Sequence, residues 1–306
     1  MNYENFKQAF KTEMMVRFGG QDMEIRENQV TRVNQTMDAL AFAPAGSRIA
    51  PQIYLNDLFA EYQQGRDFGS IVTGIAETIQ SSLRQMPEVP ELSHSFLEEN
   101  LYLTVMNQEL NRDYLADVPH DYLEDMAVVP RIRVNEEASV AVKDWMLDAY
   151  GFSKEELFRT ARANMDLQDY RCMSLSGMLM GMGMDMGPGP GEDPAASVYV
   201  LTNMSSIDGA AAILSEKAMK QAREAVGEDF FILPSSRHEV ILVPRSSSLS
   251  IAEMTDMVVS ANRTVVEDRD LLSDHVYRYN SSAGTIRMLE PKAEMPKMEK
   301  KAELSI

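Results

Sequence analysis

The chain is poor in the residues that most catalytic and nucleic-acid sites need. Of its 306 residues one is a cysteine, Cys172, which excludes an intrachain disulfide. Four are histidines, at 94, 120, 238 and 275. Positive charge is scarce: 29 Lys and Arg stand against 47 Asp and Glu, a formal net charge of −18. That balance argues against a nucleic-acid backbone or an anionic membrane as partner, because both require clustered cations. It leaves a protein partner open. No apolar run approaches the roughly 18–20 residues of a membrane helix. The first residues, MNYENFKQAFKTEM, lack the basic and apolar regions of a signal peptide. The expected location is the cytoplasm. What is present is ordinary for a globular protein: 44% apolar and 25% charged residues.

Periodicity and punctuation predict an α+β fold with antiparallel or mixed sheets and flanking helices. Tyr3, Phe6, Phe10 and Met14 recur at helical spacing before Gly19-Gly20. Residues 23–42 read as a β-hairpin turning at Asn28-Gln29. Two amphipathic helices follow, one through Leu55 and Leu58, one through Ile71, Ile75 and Ile79. Ser153 and Glu156 form a capping box, with Phe152 and Leu157 as its hydrophobic staple. Residues 198–244 read strand, helix, strand, polar turn, strand, with Asp208 as the expected N-cap. Stretches 101–165 and 198–266 both read β-α-β-β-α, a structural pseudo-repeat without sequence identity. Trp145 is expected in the core.

The domain reading places an α+β region at 1–172, with a possible sub-boundary near 87–95. A Met/Gly/Pro-rich flexible linker covers 173–197, a second α+β domain 198–290, and a charged disordered tail 291–306. Five methionines of the linker alternate with small or polar residues, from Met178 to Met186. Thioether sulfur suits Cu(I), but a linker without a ligand is the plainer reading.

Several blocks are long enough to identify relatives. SRIAPQIYLNDLFAEYQQGRDFGSIVTG, LTVMNQELNRDYLADVPHDYLEDMAVV, YGFSKEELFRTARANM and FFILPSSRHEVILVP followed by LLSDHVYRY occur in order. On these the chain resembles, over nearly its whole length, an uncharacterised bacterial family, domain of unknown function 5688. The order of elements is also similar to that of the YtpQ-like proteins. The resemblance implies the fold and brings no activity, cofactor or catalytic residue with it.

The turn Pro234-Ser235-Ser236-Arg237-His238-Glu239 concentrates the reactive side chains. Ser236 and His238 share one face of an extended backbone. Asp274 or His275, brought close by folding, would complete a Ser-His-acid arrangement. The G-x-S-x-G elbow that would expose a serine nucleophile is missing. The plainer reading is a connection whose hydroxyls cap backbone groups, with Arg237 and Glu239 solvated. His238, Glu239, Asp274 and His275 could meet at a metal only through folding, and His-Glu here fails the H-E-x-x-H pattern, so no metal site is expected. The helix start after Asn203 lacks any phosphate-binding glycine motif, so no cofactor is expected. Ser235, Ser236, Arg237, His238, Glu239 and Asn203 stand as the candidate binding residues. The expected function is that of a non-enzymatic cytosolic protein-interaction or regulatory protein. The alternative is a hydrolase, with or without metal assistance, using Ser236 and His238 with Asp274 or His275. The expected partner is a protein rather than nucleic acid or membrane.

Overall fold

Helical spacing puts Phe6, Phe10, Met14 and Phe18 on one face of α1 (Tyr3–Phe18), and all four are buried. The computed structural model of the chain describes residues 1–20, 22–47, 50–85, 91–135, 138–177 and 198–290. It divides into two compact units, Met1–Leu92 and Ser93–Ile306. The division falls inside the 87–95 span that proline marks in the sequence. Most of the Met-rich run, and the tail from 291, lie outside the described residues.

In the first unit, β1 (Met23–Arg32), β2 (Gln35–Pro44) and β3 (Gln52–Tyr54) form an antiparallel sheet in that order. Its core joins the α1 stripe to Leu40 and Phe42 of β2, Leu55 of α2 (Leu55–Gln63) and Ile71 of α3 (Phe68–Arg84). The hairpin turns at Val33-Asn34, not at Asn28-Gln29, which pair mid-strand with Ala39 and Asp38. Asn34 has φ 62°, a left-handed conformation that asparagine tolerates better than most residues.

The second unit begins with α4 (His94–Asn100) and β4 (Leu101–Asn107), then α5 (Arg112–Leu115), β5 (Asp121–Leu123) and β6 (Met126–Arg133). Next come β7 (Ser139–Ala141), α6 (Asp144–Tyr150), α7 (Lys154–Leu167) and β8 (Tyr170–Ser174). After residue 198 follow β9 (Tyr199–Asn203), a 3-10 segment (Gly209–Leu214), α8 (Glu216–Val226), β10 (Phe230–Leu233) and β11 (Val240–Pro244). The described part closes with α9 (Ile251–Thr264), β12 (Val276–Asn280) and β13 (Thr285–Leu289). The predicted capping box at Ser153 and Glu156 starts α7.

Two antiparallel sheets result. One has the order β4-β6-β5, with β7 also on β6; the other runs β13-β12-β10-β11-β9-β8. The expected pseudo-repeat is visible in this topology. In β4, β5 and β6 the third strand lies between the first and second, and in β9, β10 and β11 the third again lies between the first and second. β8 and β9 pair with each other, so residues 175–198 connect two neighbouring strands of one sheet.

Two further expectations fail. Trp145 is 64% exposed: α6 buries only Met146, and the adjacent helix position faces away from the core. Asp208 caps no helix through its side chain; it is left-handed at φ 54°, and the α-helix is capped instead by Ser215, whose Oγ accepts from the Ala218 amide.

Candidate functional site

Folding brings the polar turn after β10 against residues 270–273. The Arg237 amide donates to the Asp270 carbonyl at 2.9 Å, and the Leu272 and Ser273 amides donate to the carbonyls of Ser235 and Pro234. Ser236 and Leu271 form an antiparallel bridge. On its other side the turn meets the loop after β9. The Ala210 amide donates to the Arg237 carbonyl at 3.1 Å, and Thr202 Oγ1 to the His238 carbonyl at 2.7 Å. Candidate residue Asn203 follows Thr202 at the start of the loop that meets the turn, while Asp274 and His275 point their side chains elsewhere.

The carboxylate beside His238 is Asp270, at 3.1 Å from Nε2. The Asp208 amide donates to His238 Nδ1 at 3.3 Å. Both ring nitrogens are thus engaged: Nδ1 accepts, which makes the imidazole the Nε2–H tautomer, and that proton faces Asp270. Arg237, expected to be solvated, is only 20% exposed at its side chain; one nitrogen lies 2.7 Å from Asp208. Asp270 holds the same guanidinium at 3.7 Å. Glu239 is half-buried.

Ser236 is 6% exposed, and its Oγ accepts the backbone N–H of His238 at 3.0 Å. This is the local hydroxyl-to-backbone bond that stiffens turns. Replacing Ser236 with alanine leaves that amide without its acceptor and is expected to cost about 1 kcal/mol. A urea titration reads this as a lower midpoint with an unchanged slope; an unchanged midpoint contradicts the structural role.

The candidates Asp274 and His275 have other partners. Asn262 donates to Asp274 Oδ1 at 2.7 Å. His275 Nδ1 lies 2.9 Å from Asp125 Oδ2. Asp125 sits in the two-residue turn between β5 and β6, where Glu124 is left-handed at φ 58°. It also accepts from Ser273 Oγ at 2.9 Å and from the Tyr277 hydroxyl. Burial, then the hydrogen bond to Asp125, pushes the Tyr277 phenol well above its ordinary range, so it donates as a neutral hydroxyl.

Ser273, His275 and Asp125 are residue types of a catalytic triad in another geometry. A triad places the imidazole between hydroxyl and carboxylate, using both nitrogens. Here Nδ1 faces both groups, and Ser273 is 2% exposed. Among the described residues no group of three or more His, Cys, Asp or Glu is disposed to hold a metal. Burial pushes the Cys172 thiol up to about 11, so at neutral pH it is not the nucleophilic thiolate.

What the site presents outward is the loop between Asn203 and Gly209. Met204 is 53% and Ile207 59% exposed. Ser206 and Asp208 hold φ of 55° and 54°. Such conformations cost energy in non-glycine residues and persist only where surroundings enforce them. The enforcing contacts are visible. Asn203 Nδ2 donates to the Ile207 carbonyl at 2.7 Å, Arg171 donates to the Met204 carbonyl, and Asp208 is tied to Arg237 and His238. Asp125, Asp208 and Asp270 carry the two networks. Neither Asp125 nor Asp270 is marked by its spacing to the histidine it meets.

A family model described as a family of unknown function (DUF5688) matches residues 3–281. No curated protein and no solved structure matches the chain. The likeness to the YtpQ-like proteins finds no support in these results. Among the described residues no helix is long and apolar enough to cross a membrane.

Proposed function

The chain belongs to the DUF5688 family, and from its geometry we propose that it is a non-enzymatic, cytoplasmic protein-interaction protein whose contact surface is the loop from Asn203 to Gly209. The observation that carries this reading is the combination of exposure and rigidity. Met204 and Ile207 stand out from a backbone that Arg237, His238 and Asp270 hold in place. Exposed apolar side chains on a pinned loop lose little entropy on binding, which is how a small contact gains affinity. The charge of −18 favours a partner that is neutral or basic around an apolar pocket.

The hydrolase alternative has one favourable observation, the His238–Asp270 pair at 3.1 Å. It would place Asp270 where the sequence pattern offers Asp274 or His275. Against it, Nδ1 of His238 accepts from a backbone amide and Ser236 Oγ from another.

The test is comparative capture from native cells by the wild-type chain and by Ile207→Asp. Fully burying an isoleucine contributes about 2 kcal/mol, so the variant is expected to bind the wild-type partner roughly 30-fold more weakly. Equal capture by a folded variant overturns the proposal.

A further inference from the structure

A second feature of the Ser93–Ile306 unit lies outside that loop. A cleft of about 1140 Å³ opens between β5, α7, α8 and β13. Its walls include the free edges of both sheets of the unit, since β5 and β13 are terminal strands. Ile213, Met219 and Ile286 contribute an apolar lining. Four cations line it, Arg162 on α7 and Lys217, Lys220 and Arg223 on α8, of which Lys217 is paired with a carboxylate outside the cleft. Lys220 and Arg223 are three residues apart on a helix, so they lie on one face.

The acidic residues of the cleft are partly spoken for. Asp121 pairs with Lys154 at 2.9 Å. Asp166 accepts from Ser215 Oγ at 2.6 Å and from the Lys217 amide at 3.3 Å, and so occupies the start of α8. Lys217 is itself paired with Asp169 at 2.9 Å. Glu216 remains, exposed in the first turn of α8, where a carboxylate suits the helix dipole. By contrast Arg162 and Lys220 have no hydrogen-bond or ion-pair partner among the described residues. Arg223 spends one nitrogen on the Tyr279 hydroxyl at 2.9 Å and keeps further donors available. Carboxylates outnumber cations 47 to 29 in this chain, so three cations without a carboxylate partner in one cleft run against its composition.

We infer that this cleft binds an amphipathic organic anion, a small molecule with a carboxylate or phosphate head on an apolar body. The head would take Arg162, Lys220 and Arg223, whose donors match either oxyanion. The body would cover Met219, Ile213 and Ile286. A few polar groups converging on an apolar lining is the usual make-up of a ligand site. The site shares no residue with the Asn203–Gly209 loop, and this inference stands or falls separately from the proposed interaction.

The test is calorimetric titration of the full chain with decanoate, decyl phosphate and decanol, each below its aggregation concentration. Both anions are expected to bind at least tenfold more tightly than decanol, and the stronger of the two identifies the head. The double variant Arg162→Glu, Lys220→Glu places both changes on exposed helix positions and is expected to lose at least tenfold in anion affinity with an unchanged circular dichroism spectrum. Raising the salt concentration is expected to weaken the anions and not decanol. Binding of decanol as tight as that of the anions, or anion binding that survives the double charge reversal in a folded chain, overturns the inference.

Discussion

Replacing Gly209 with alanine is expected to destabilise the Ser93–Ile306 unit by about 3 kcal/mol or more, the range of severe overpacking. The reason is space rather than backbone angle. A Cβ at this position would overlap Thr202 Oγ1 and the His238 carbonyl and would lie 2.9 Å from the Asn203 amide nitrogen. Two of those three neighbours are backbone atoms of strands or of the polar turn, which cannot swing aside as a flexible side chain can. The Thr202 hydroxyl cannot retreat without breaking its 2.7 Å bond to the same carbonyl. The methyl would therefore force the 3-10 segment away from β9 and the polar turn and open the Ala210–Arg237 hydrogen bond. Urea denaturation monitored by far-UV circular dichroism reads the loss. A midpoint within error of wild type contradicts the packing described.

Asp125→Ala is the second large effect, about 2–3 kcal/mol. This carboxylate receives the hydroxyls of Ser273 and Tyr277 and faces His275. Ser273 and Tyr277 are buried and their hydroxyls also meet each other at 2.8 Å, so removing the carboxylate leaves one of the two hydroxyls without its acceptor, out of reach of water. Tyr277 sits on β12, an interior strand of the larger sheet paired with both β10 and β13, so the loss is felt by the sheet rather than by a loop. Asp125→Asn keeps an acceptor oxygen and is expected to cost about half as much. A further comparison separates this from a catalytic role: Tyr277→Phe, which removes one donor and leaves the carboxylate, should fall between the two. If Asp125→Ala is as stable as wild type, the network does not hold the unit together.

Much of the fold could be read from local signals. The α1 stripe, the Ser153 capping box and the strands flanking the polar turn all carry their determinants within a few residues. Where reading failed, a longer-range contact decided. Asp208 resembles an N-cap in sequence, but Gly209 must approach Thr202 and His238, and the chain makes a 3-10 segment before Ser215 starts the helix. Trp145 resembles a core residue by type, but only packing assigns a helix position to core or solvent.

The candidate site was legible in part. The polar turn is visible in the sequence as a cluster, and it meets residues 270–273, the segment that precedes His275. The acid that meets His238 was not found, because 32 positions separate it from Asp270, and only tertiary pairing makes them neighbours. The same holds for Asp125 and His275, 150 positions apart. Side-chain direction was also out of reach. Asp274 lies next to the turn-pairing segment yet turns to Asn262.

The central claim is that the Asn203–Gly209 loop is a preorganised protein-contact surface. Amide hydrogen exchange of the chain, alone and with the captured partner, tests it most directly. Free, the loop should already exchange slowly at Asp208 and Ala210, whose amides are bonded to His238 and Arg237. Bound, new protection should appear over residues 204–207 and the adjoining turn. Protection elsewhere with these residues unchanged, or a free loop that exchanges at the rate of an unstructured chain, would contradict the account.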